Sequence, residues 1–195
     1  MPTSVYLPNS AGCMAYSHAL ETIGTDTGKS PGDKGLTPAL IMSQGDELSS
    51  SILDALSLDD LGGVQISVTK AGTGTRTLRA NLLFSFHVDL AENMILTMNM
   101  MTKYSHRVTV SGVDRDLMYE HRMYVWNDDA SFWTNFDSSA TTGVQELTQF
   151  LASNMARFVE DGTGNLYLLV SDYEGTVDSV SGGGGGKEDN EVVPG

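Results

Sequence analysis

The segment 24–30, GTDTGKS, comes closest in this sequence to a pattern that binds phosphate. A phosphate-binding loop needs four residues between its first glycine and the Gly-Lys-Ser or Gly-Lys-Thr, because its backbone N–H groups must wrap the phosphate. Here three residues intervene, and Ile23 occupies the position where that glycine is required. No clear buried strand leads into the segment. The sequence therefore does not predict nucleotide binding.

The four histidines, His18, His87, His106 and His121, are the best metal ligands that the sequence offers. The strand register predicted below places His106 opposite His121 near the edge of a sheet, with His87 on the other face. Two histidines can begin a zinc site, but no cysteine or carboxylate at ligand spacing completes this one. The sequence therefore predicts no metal and no cofactor.

Nucleophilic and acid–base catalysis have no clear set of residues either. No Gly-x-Ser-x-Gly turn is present, and that turn is what exposes a catalytic serine in many hydrolases. Cys13 has His18 five residues further on, but nothing predicts the electropositive setting that a reactive thiol needs. The acidic pairs 59–60, 128–129 and 160–161 fall at element ends or in loops, where solvated surface charge is expected. We therefore expect a protein that is not an enzyme.

The composition disfavours some classes of binding partner. The 195 residues carry a formal net charge of −14, which opposes binding to nucleic acid through phosphate contacts. DNA that passes through an acidic conduit as cargo is compatible with this charge. The single cysteine, Cys13, cannot form an internal disulfide. No stretch of about 18 consecutive apolar residues predicts a membrane span.

The stretch 78–90, LRANLLFSFHVDL, predicts the central strand of the fold. All its even positions are apolar, and its odd positions are polar except for Leu83. Side chains alternate between the two faces of a strand, so this period of two predicts a long strand with one buried face. A strand at 64–68 precedes it, and strands at 94–110 and 117–125 follow as an antiparallel meander.

The rest of the chain is arranged around these strands. Prolines and glycines in 1–45 predict an extended arm with loops and a short helix around 14–23. Apolar residues at helical spacing predict helices from Asp46 to Gly62 and over 144–159. A strand follows at 166–170, and residues 181–195 read as a glycine-rich linker with an acidic tail. Residues 46–180 therefore form the predicted domain.

The predicted fold class is a two-layer α+β domain, with a meander of four to five antiparallel strands covered on one face by two helices. Its register places Leu90 opposite Met94, and hence Phe86 opposite Met98. Placing Val110 opposite Leu117 brings Arg107 opposite Glu120, a favourable pair of charges.

The outer face of this sheet is the candidate interface, because apolar and basic side chains are predicted there together. Seven of the eleven basic residues fall between Lys70 and Arg122 in an otherwise acidic chain. Such a face would suit an acidic surface of a neighbouring copy. Its predicted members are Arg79, Leu83, Met101, Lys103, Arg107, Arg122, Tyr124 and Trp126.

The order of helix, antiparallel strands, helix and strand resembles that of tail terminator and related head–tail joining proteins of tailed bacteriophages. This resemblance implies a structural virion subunit that self-associates into a ring or tube, with other structural proteins as partners. The second half also resembles small outer-membrane assembly lipoproteins, in which a hairpin leads to a tryptophan-containing loop and an amphipathic helix, here 144–159. That alternative implies the bacterial envelope or periplasm. An enzyme of unidentified chemistry, or a ligand-binding module using the aromatic loop 126–136, would be further alternatives.

Overall fold

A computed structural model describes residues 5–23, 36–58, 66–69, 76–88, 98–110, 113–116, 119–141, 145–151, 155–172, 176–177 and 189–193 of the chain. The helices are α1 (Pro38–Gln44), α2 (Ser50–Leu56) and a 3-10 helix (Met155–Phe158). The strands are β1 (Met14–Ile23), β2 (Asp46–Glu47), β3 (Ile66–Thr69), β4 (Arg76–His87), β5 (Met98–Val110), β6 (Val113–Asp116), β7 (Tyr119–Asn127), β8 (Phe132–Thr141), β9 (Gln145–Leu151), β10 (Asn165–Asp172), β11 (Thr176–Val177) and β12 (Asp189–Val193). The fold is α+β, as predicted.

Seven of these strands form one antiparallel sheet around β4. Its order is β2-β1-β4-β10-β7-β8, and β11 also pairs with β4. Strand β4 contains most of the alternating stretch 78–90, and its even positions Ala80, Leu82 and Phe84 are buried, as predicted. The described part of the predicted arm contributes β1 to this sheet, directly beside β4.

One face of the seven-stranded sheet carries a first core cluster. The even positions of β4 pack there with Leu166, Leu168 and Val170 of β10 and with Met123 and Val125 of β7. Leu53 of α2 covers them, together with Phe158 and Val159. Burial of a side chain of this size stabilises a fold by about 1.5–3 kcal/mol, so this cluster supplies much of the driving force for folding.

The opposite face carries a second core cluster. Its members are Tyr16, Leu36, Ile41, Leu83, Tyr124, Trp126, Trp133, Tyr167 and Leu169. Leu53 of α2, which lies within the helix predicted from Asp46 to Gly62, belongs to the first cluster, whereas Ile41 belongs to α1, a helix that was not predicted. The prediction that only one face of the sheet is covered is therefore wrong. The reason is visible in the runs 123–126 and 166–170, which are apolar at consecutive positions. Such runs are typical of strands buried on both faces.

Helix α1 begins and ends with local signals. The Thr37 side chain caps it by accepting a hydrogen bond from Leu40 N at 3.1 Å, and Pro38 occupies its first turn. A Cβ on Gly45 would lie 2.6 Å from Ser17 O, so only glycine lets the end of the helix approach β1 this closely. This arrangement brings α1 onto the second core cluster.

Two predicted helices are strands in the structure. Strand β1 replaces the short helix predicted around 14–23, and β9 with the 3-10 helix replaces the helix predicted over 144–159. All of β9 pairs with β5, so its backbone hydrogen bonds are made between strands instead of within a helix. Phe158 and Val159 are nevertheless buried. The second long helix, on which both family resemblances depended, is therefore not formed in the described residues.

The remaining strands form a five-stranded sheet. Its order is β3-β12-β5-β6, and β9 also pairs with β5. Strand β12 comes from the predicted acidic tail and pairs antiparallel with both β3 and β5. Ile66 of β3 is buried in the first core cluster, which connects this sheet to the core of the other one.

The predicted meander register is wrong. Strand β4 pairs with β1 and β10 and not with β5, so Phe86 lies opposite Leu166. The predicted turn at Leu90 and Met94 lies outside the described residues. Strands adjacent in sequence are often neighbours in a sheet, but here β10, which is apolar on both faces, takes the position beside β4.

The next predicted hairpin differs in the same way. Val110 pairs with Val113, and Arg107 lies opposite Asp116 instead of Glu120. Consequently the two histidines predicted to face each other are in different sheets: His106 lies on β5 and His121 on β7.

None of the helices in the described ranges is long and apolar enough to cross a membrane.

Candidate interaction surfaces

The eight residues predicted as an interface lie on two different sheets. Arg79 and Leu83 on β4, with Arg122, Tyr124 and Trp126 on β7, belong to the seven-stranded sheet. Met101, Lys103 and Arg107 lie on β5 of the five-stranded sheet. The sequence placed them together because it paired β4 with β5 and β5 with β7. Since those pairs do not form, the sheet face that would have joined them does not form either.

Three of these residues are core residues of the chain. Leu83, Tyr124 and Trp126 are 0, 3 and 8 % exposed. The Trp126 ring packs edge-on against Trp133, with ring centroids 5.2 Å apart. The indole N–H of Trp133 donates to the backbone carbonyl of Leu36. The expected exposure of these apolar side chains is therefore wrong, because α1 and the residues just before it cover this face.

The basic residues of β5 lie opposite acidic residues of the same chain. Arg107 has Asp116 of β6 as its register partner on one side and Glu191 of β12 on the other. Lys103 lies opposite Glu146 of β9. Residues directly opposite in an antiparallel pair share a face and interact. The register of the five-stranded sheet therefore places basic and acidic residues of one chain opposite each other.

A row of polar residues crosses the seven-stranded sheet on the face that α1 covers. His18 of β1 is the register partner of Asn81 of β4, which is the partner of Ser171 of β10. Ser171 Oγ donates to Asn81 Oδ1 at 2.7 Å, and Asn81 Nδ2 lies 3.3 Å from His18 Nδ1. All three residues are at most 4 % exposed. The half-buried Arg122 of β7 continues the row opposite Ser171.

The hydrogen bonds of this row determine the state of His18. Because Asn81 Oδ1 accepts from Ser171, the Asn81 amide nitrogen donates to His18 Nδ1, which leaves the imidazole proton on Nε2. Burial lowers the pKa of His18, against a smaller opposite effect of its hydrogen bond with Gln44 of α1. The Ser171 hydroxyl is directed at an amide oxygen and not at a base. The row thus connects α1 to the sheet and offers no activated nucleophile.

A second polar group surrounds Tyr167 at the other end of the same face. The Tyr167 hydroxyl donates to Glu160 Oε2 at 3.0 Å, and Asn165 Nδ2 donates to the Tyr167 oxygen at 3.4 Å. Burial raises the pKa of Tyr167 to about 12; the Asn165 hydrogen bond opposes this rise and Glu160 adds to it. A phenol with this pKa stays protonated near neutral pH, so it can donate a hydrogen bond but cannot act as a base.

In each acidic pair near Tyr167, one residue is exposed and the other accepts hydrogen bonds. Asp129 and Asp161 are exposed, as expected of solvated charge. Asp128 is half-buried; its carboxylate accepts from Trp126 Nε1 at 3.3 Å and from Asp161 N at 3.4 Å. Glu160 is also half-buried and accepts from Tyr167. These two carboxylates hold the loop 160–164 and the turn after β7 against the sheet.

The other sequence candidates do not form a reactive centre in the part of the chain that is described. Cys13 is buried, and this burial raises the pKa of its thiol despite a hydrogen bond from the His87 backbone. The reactive thiolate is therefore disfavoured. No group of three or more His, Cys, Asp or Glu in the described ranges is placed to hold a metal ion. Segments 24–30 and 59–60 lie outside those ranges.

Strand β8 has an open edge among the described strands. This ten-residue strand ends the seven-stranded sheet and is paired only with β7. By comparison, β2 at the other end of that sheet has two residues, and β3 and β6 at the ends of the other sheet have four each. Phe132, the first residue of β8, is 44 % exposed.

A bulge divides β8 into two parts. Tyr124 pairs with Asn135 and Met123 with Asp137, so Phe136 has no register partner. Bulges twist an edge and limit its pairing with other strands. The regular part of the edge is therefore 132–135. The sequence predicted an aromatic loop over 126–136, although aromatic residues favour strands and were the signal that could have identified β8.

No protein-family model matches the sequence, and no curated protein matches it significantly.

Proposed function

We propose that this protein is a non-enzymatic structural subunit that associates with copies of itself. The observation that carries this proposal is the edge of β8, which pairs only with β7 among the described strands and has the exposed Phe132 at its start. Unpaired N–H and C=O groups on such an edge are a template for a strand of another chain. Natural edges of this length are usually blunted by several charges or by proline, and β8 has a single charge, Asp137.

The second copy is the partner that fits this edge. Two β8 strands can meet antiparallel across a two-fold axis, which gives the same contacts to both chains. Pairing over 132–135 avoids the bulge at Phe136 and keeps Asp137 of the two copies outside the paired segment. The exposed Phe132 would then lose water-accessible area on association, which is favourable by about 25 cal/mol per Å².

We further propose that the assembly is part of the virion of a tailed bacteriophage, as a head–tail joining or tail component. The net charge of −14 supports this location, because an acidic ring repels the DNA that passes through it. The architectural likeness supports it less than the sequence suggested, since β9 stands where the second long helix was expected.

Native mass tests this proposal directly. We expect the wild-type chain to be oligomeric in light scattering at about 100 μM, a concentration that populates even an association of micromolar strength. Phe132→Lys places a charge on the open edge and should weaken association at least about tenfold, or about 1.4 kcal/mol. Leu58→Lys is the matched control, because Leu58 is 60 % exposed but lies at the end of α2.

The control should assemble like the wild type. A monomeric wild-type protein at this concentration would refute self-association itself. An oligomer that Phe132→Lys and Leu58→Lys leave equally intact would show that β8 is not the contact.

A further inference from the structure

Strand β12 occupies an unusual place in the five-stranded sheet. It consists of Asp189–Val193, and it lies between β3 and β5, antiparallel to both. In the described residues β3 and β5 have no pairing with each other, so β12 alone joins them. Two strands held on either side of a third form a slot one strand wide. Any strand with the correct side chains can fill such a slot, from the same chain or from another.

The sequence before β12 separates it from the strands that it joins. Residues 178–188 connect β11 to β12, and they include five consecutive glycines at 182–186. Glycine-rich sequences are the usual spacers between elements that are placed independently. Eleven residues can reach about 36–40 Å when fully extended. This reach is about the diameter of a small domain, so the strand can be delivered to an adjacent copy.

The slot is selective for the sequence of β12. Glu191 has Arg107 as its partner on β5 and Ser67 on β3, so a negative charge is placed opposite a positive one. Val192 has the buried Ile66 as its partner on β3. A slip of one residue would exchange the two faces and place a carboxylate at the apolar position. Alternation of Glu191 with Val192 therefore fixes the register.

We propose that β12 is exchanged between subunits, so that the terminal strand of one copy fills the slot between β3 and β5 of its neighbour. This inference rests on the self-association proposed above and names a second contact for it. A tethered strand has an effective concentration in the millimolar range for its own slot. In a dissociated chain, β12 therefore pairs with β3 and β5 of the same chain. In an assembled particle the slot of a neighbouring copy is present at a similar effective concentration, so β12 can pair with β3 and β5 of that copy instead of its own.

Cysteine pairs across the slot can distinguish the two arrangements. Ser105 of β5 is the register partner of Val193 of β12, and antiparallel partners are separated by a Cα distance that a disulfide can span. In a Cys13→Ser background, Ser105→Cys and Val193→Cys are introduced into separate chains that differ in mass by a tag. The two chains are mixed, assembled at the concentration where the wild type is oligomeric, and oxidised.

Exchange predicts a disulfide-linked heterodimer as the main oxidised product on a non-reducing gel. The matched control pair is Met101→Cys with Thr148→Cys, register partners on β5 and β9, which should give at least about tenfold less heterodimer because β9 stays in its own chain. Thr109→Cys with Asp189→Cys, register partners four residues further along β5, repeats the test if the first pair does not fold.

Each result separates the two proposals. A heterodimer confined to the β5–β12 pair supports exchange. An oligomer by native mass without that heterodimer, combined with an internal disulfide when both cysteines are in one chain, overturns exchange and leaves self-association intact. A monomeric native mass at all concentrations overturns both.

Discussion

The two sheets of this protein share antiparallel pairing but differ in the chemistry of their strands. The seven-stranded sheet buries both faces, and residues such as Leu83, Met123 and Leu169 have no exposed surface. The five-stranded sheet has opposite charges as register partners, with Arg107 between Asp116 and Glu191. Two buried faces fix one sheet strongly, whereas cross-strand charges contribute only about 0.2–1 kcal/mol each. We therefore expect the first sheet to dominate the stability of the fold, and β12 of the second sheet to be the strand that can exchange.

The largest effect should come from a cavity in the seven-stranded sheet. Leu169 on β10 is fully buried in the second core cluster, so Leu169→Ala leaves a void that the surrounding rings cannot fill. We expect a loss of about 3 kcal/mol in the free energy of unfolding, within the usual range for buried leucine. Urea unfolding followed by tryptophan fluorescence measures it, because Trp126 and Trp133 lie in the same cluster.

Leu58→Ala is the control for this cavity. Leu58 is 60 % exposed, so its truncation should change the free energy of unfolding by less than about 0.5 kcal/mol. If Leu169→Ala were as mild as Leu58→Ala, the second core cluster would not be a stabilising core, and the contrast between the sheets would fail.

A smaller effect, and one that depends on pH, should come from the polar row of the same sheet. The lowered pKa of His18 means that the unfolded chain binds its proton at higher pH than the folded chain does. The contribution of neutral His18 is therefore complete above its ordinary pKa of 6.5 and is lost as the pH falls below that value towards the folded pKa. The free energy of unfolding should decrease between pH 6.5 and pH 5.

Two variants isolate this pH dependence. His18→Gln removes the titrating group, so its unfolding free energy should fall less steeply with acidification than that of the wild type. Gln44→Leu removes the hydrogen bond that raises the pKa of His18, so its decrease should be steeper. Identical slopes for the wild type and His18→Gln would exclude His18 as the source.

The sequence predicted the α+β class and the central strand, because the period of two in 78–90 is a local signal. Phe158 and Val159, apolar residues at the end of the helix predicted over 144–159, are buried although that helix does not form, since apolar side chains of that size are mostly buried whichever element holds them. The second core could not be inferred from β4, where Leu83 was a single apolar residue among polar ones. Residues of β7 and β10 complete that face, and the sequence alone did not show that these strands lie next to β4.

The eight predicted interface residues do not share one sheet face for the same physical reason. A register decides which residues share a face, and one wrong pairing moves every residue of a strand to new neighbours. Thr37 and Pro38 are capping signals from which α1 could have been predicted, and the aromatic residues of β8 could have indicated a strand. Helix α1 covers one face of the seven-stranded sheet, and β8 forms an edge of that sheet. Both outcomes depend on contacts between residues far apart in the sequence. No local pattern contains that information.

The smallest effect should come from the charges of the five-stranded sheet. Arg107 and Glu191 are register partners, and a double-mutant cycle with Arg107→Ala and Glu191→Ala should give a coupling free energy of about 0.5 kcal/mol at low salt. Salt at about 0.5 M should remove most of it if the pair is in contact with solvent, because the Debye length is then only a few ångströms. Arg107→Ala with Asp116→Ala is the parallel cycle within β5 and β6.

Equal, salt-sensitive couplings in the two cycles would mean that the charges favour one register but add little to the free energy that holds the strands together. A coupling of about 2 kcal/mol or more that resists salt would instead identify a desolvated pair. Strand β12 would then be held as firmly as a core strand, and its release from its own slot would become too unfavourable for exchange. The coupling between Arg107 and Glu191 thus decides whether β12 can leave its own slot or is held there as firmly as the strands of the seven-stranded sheet.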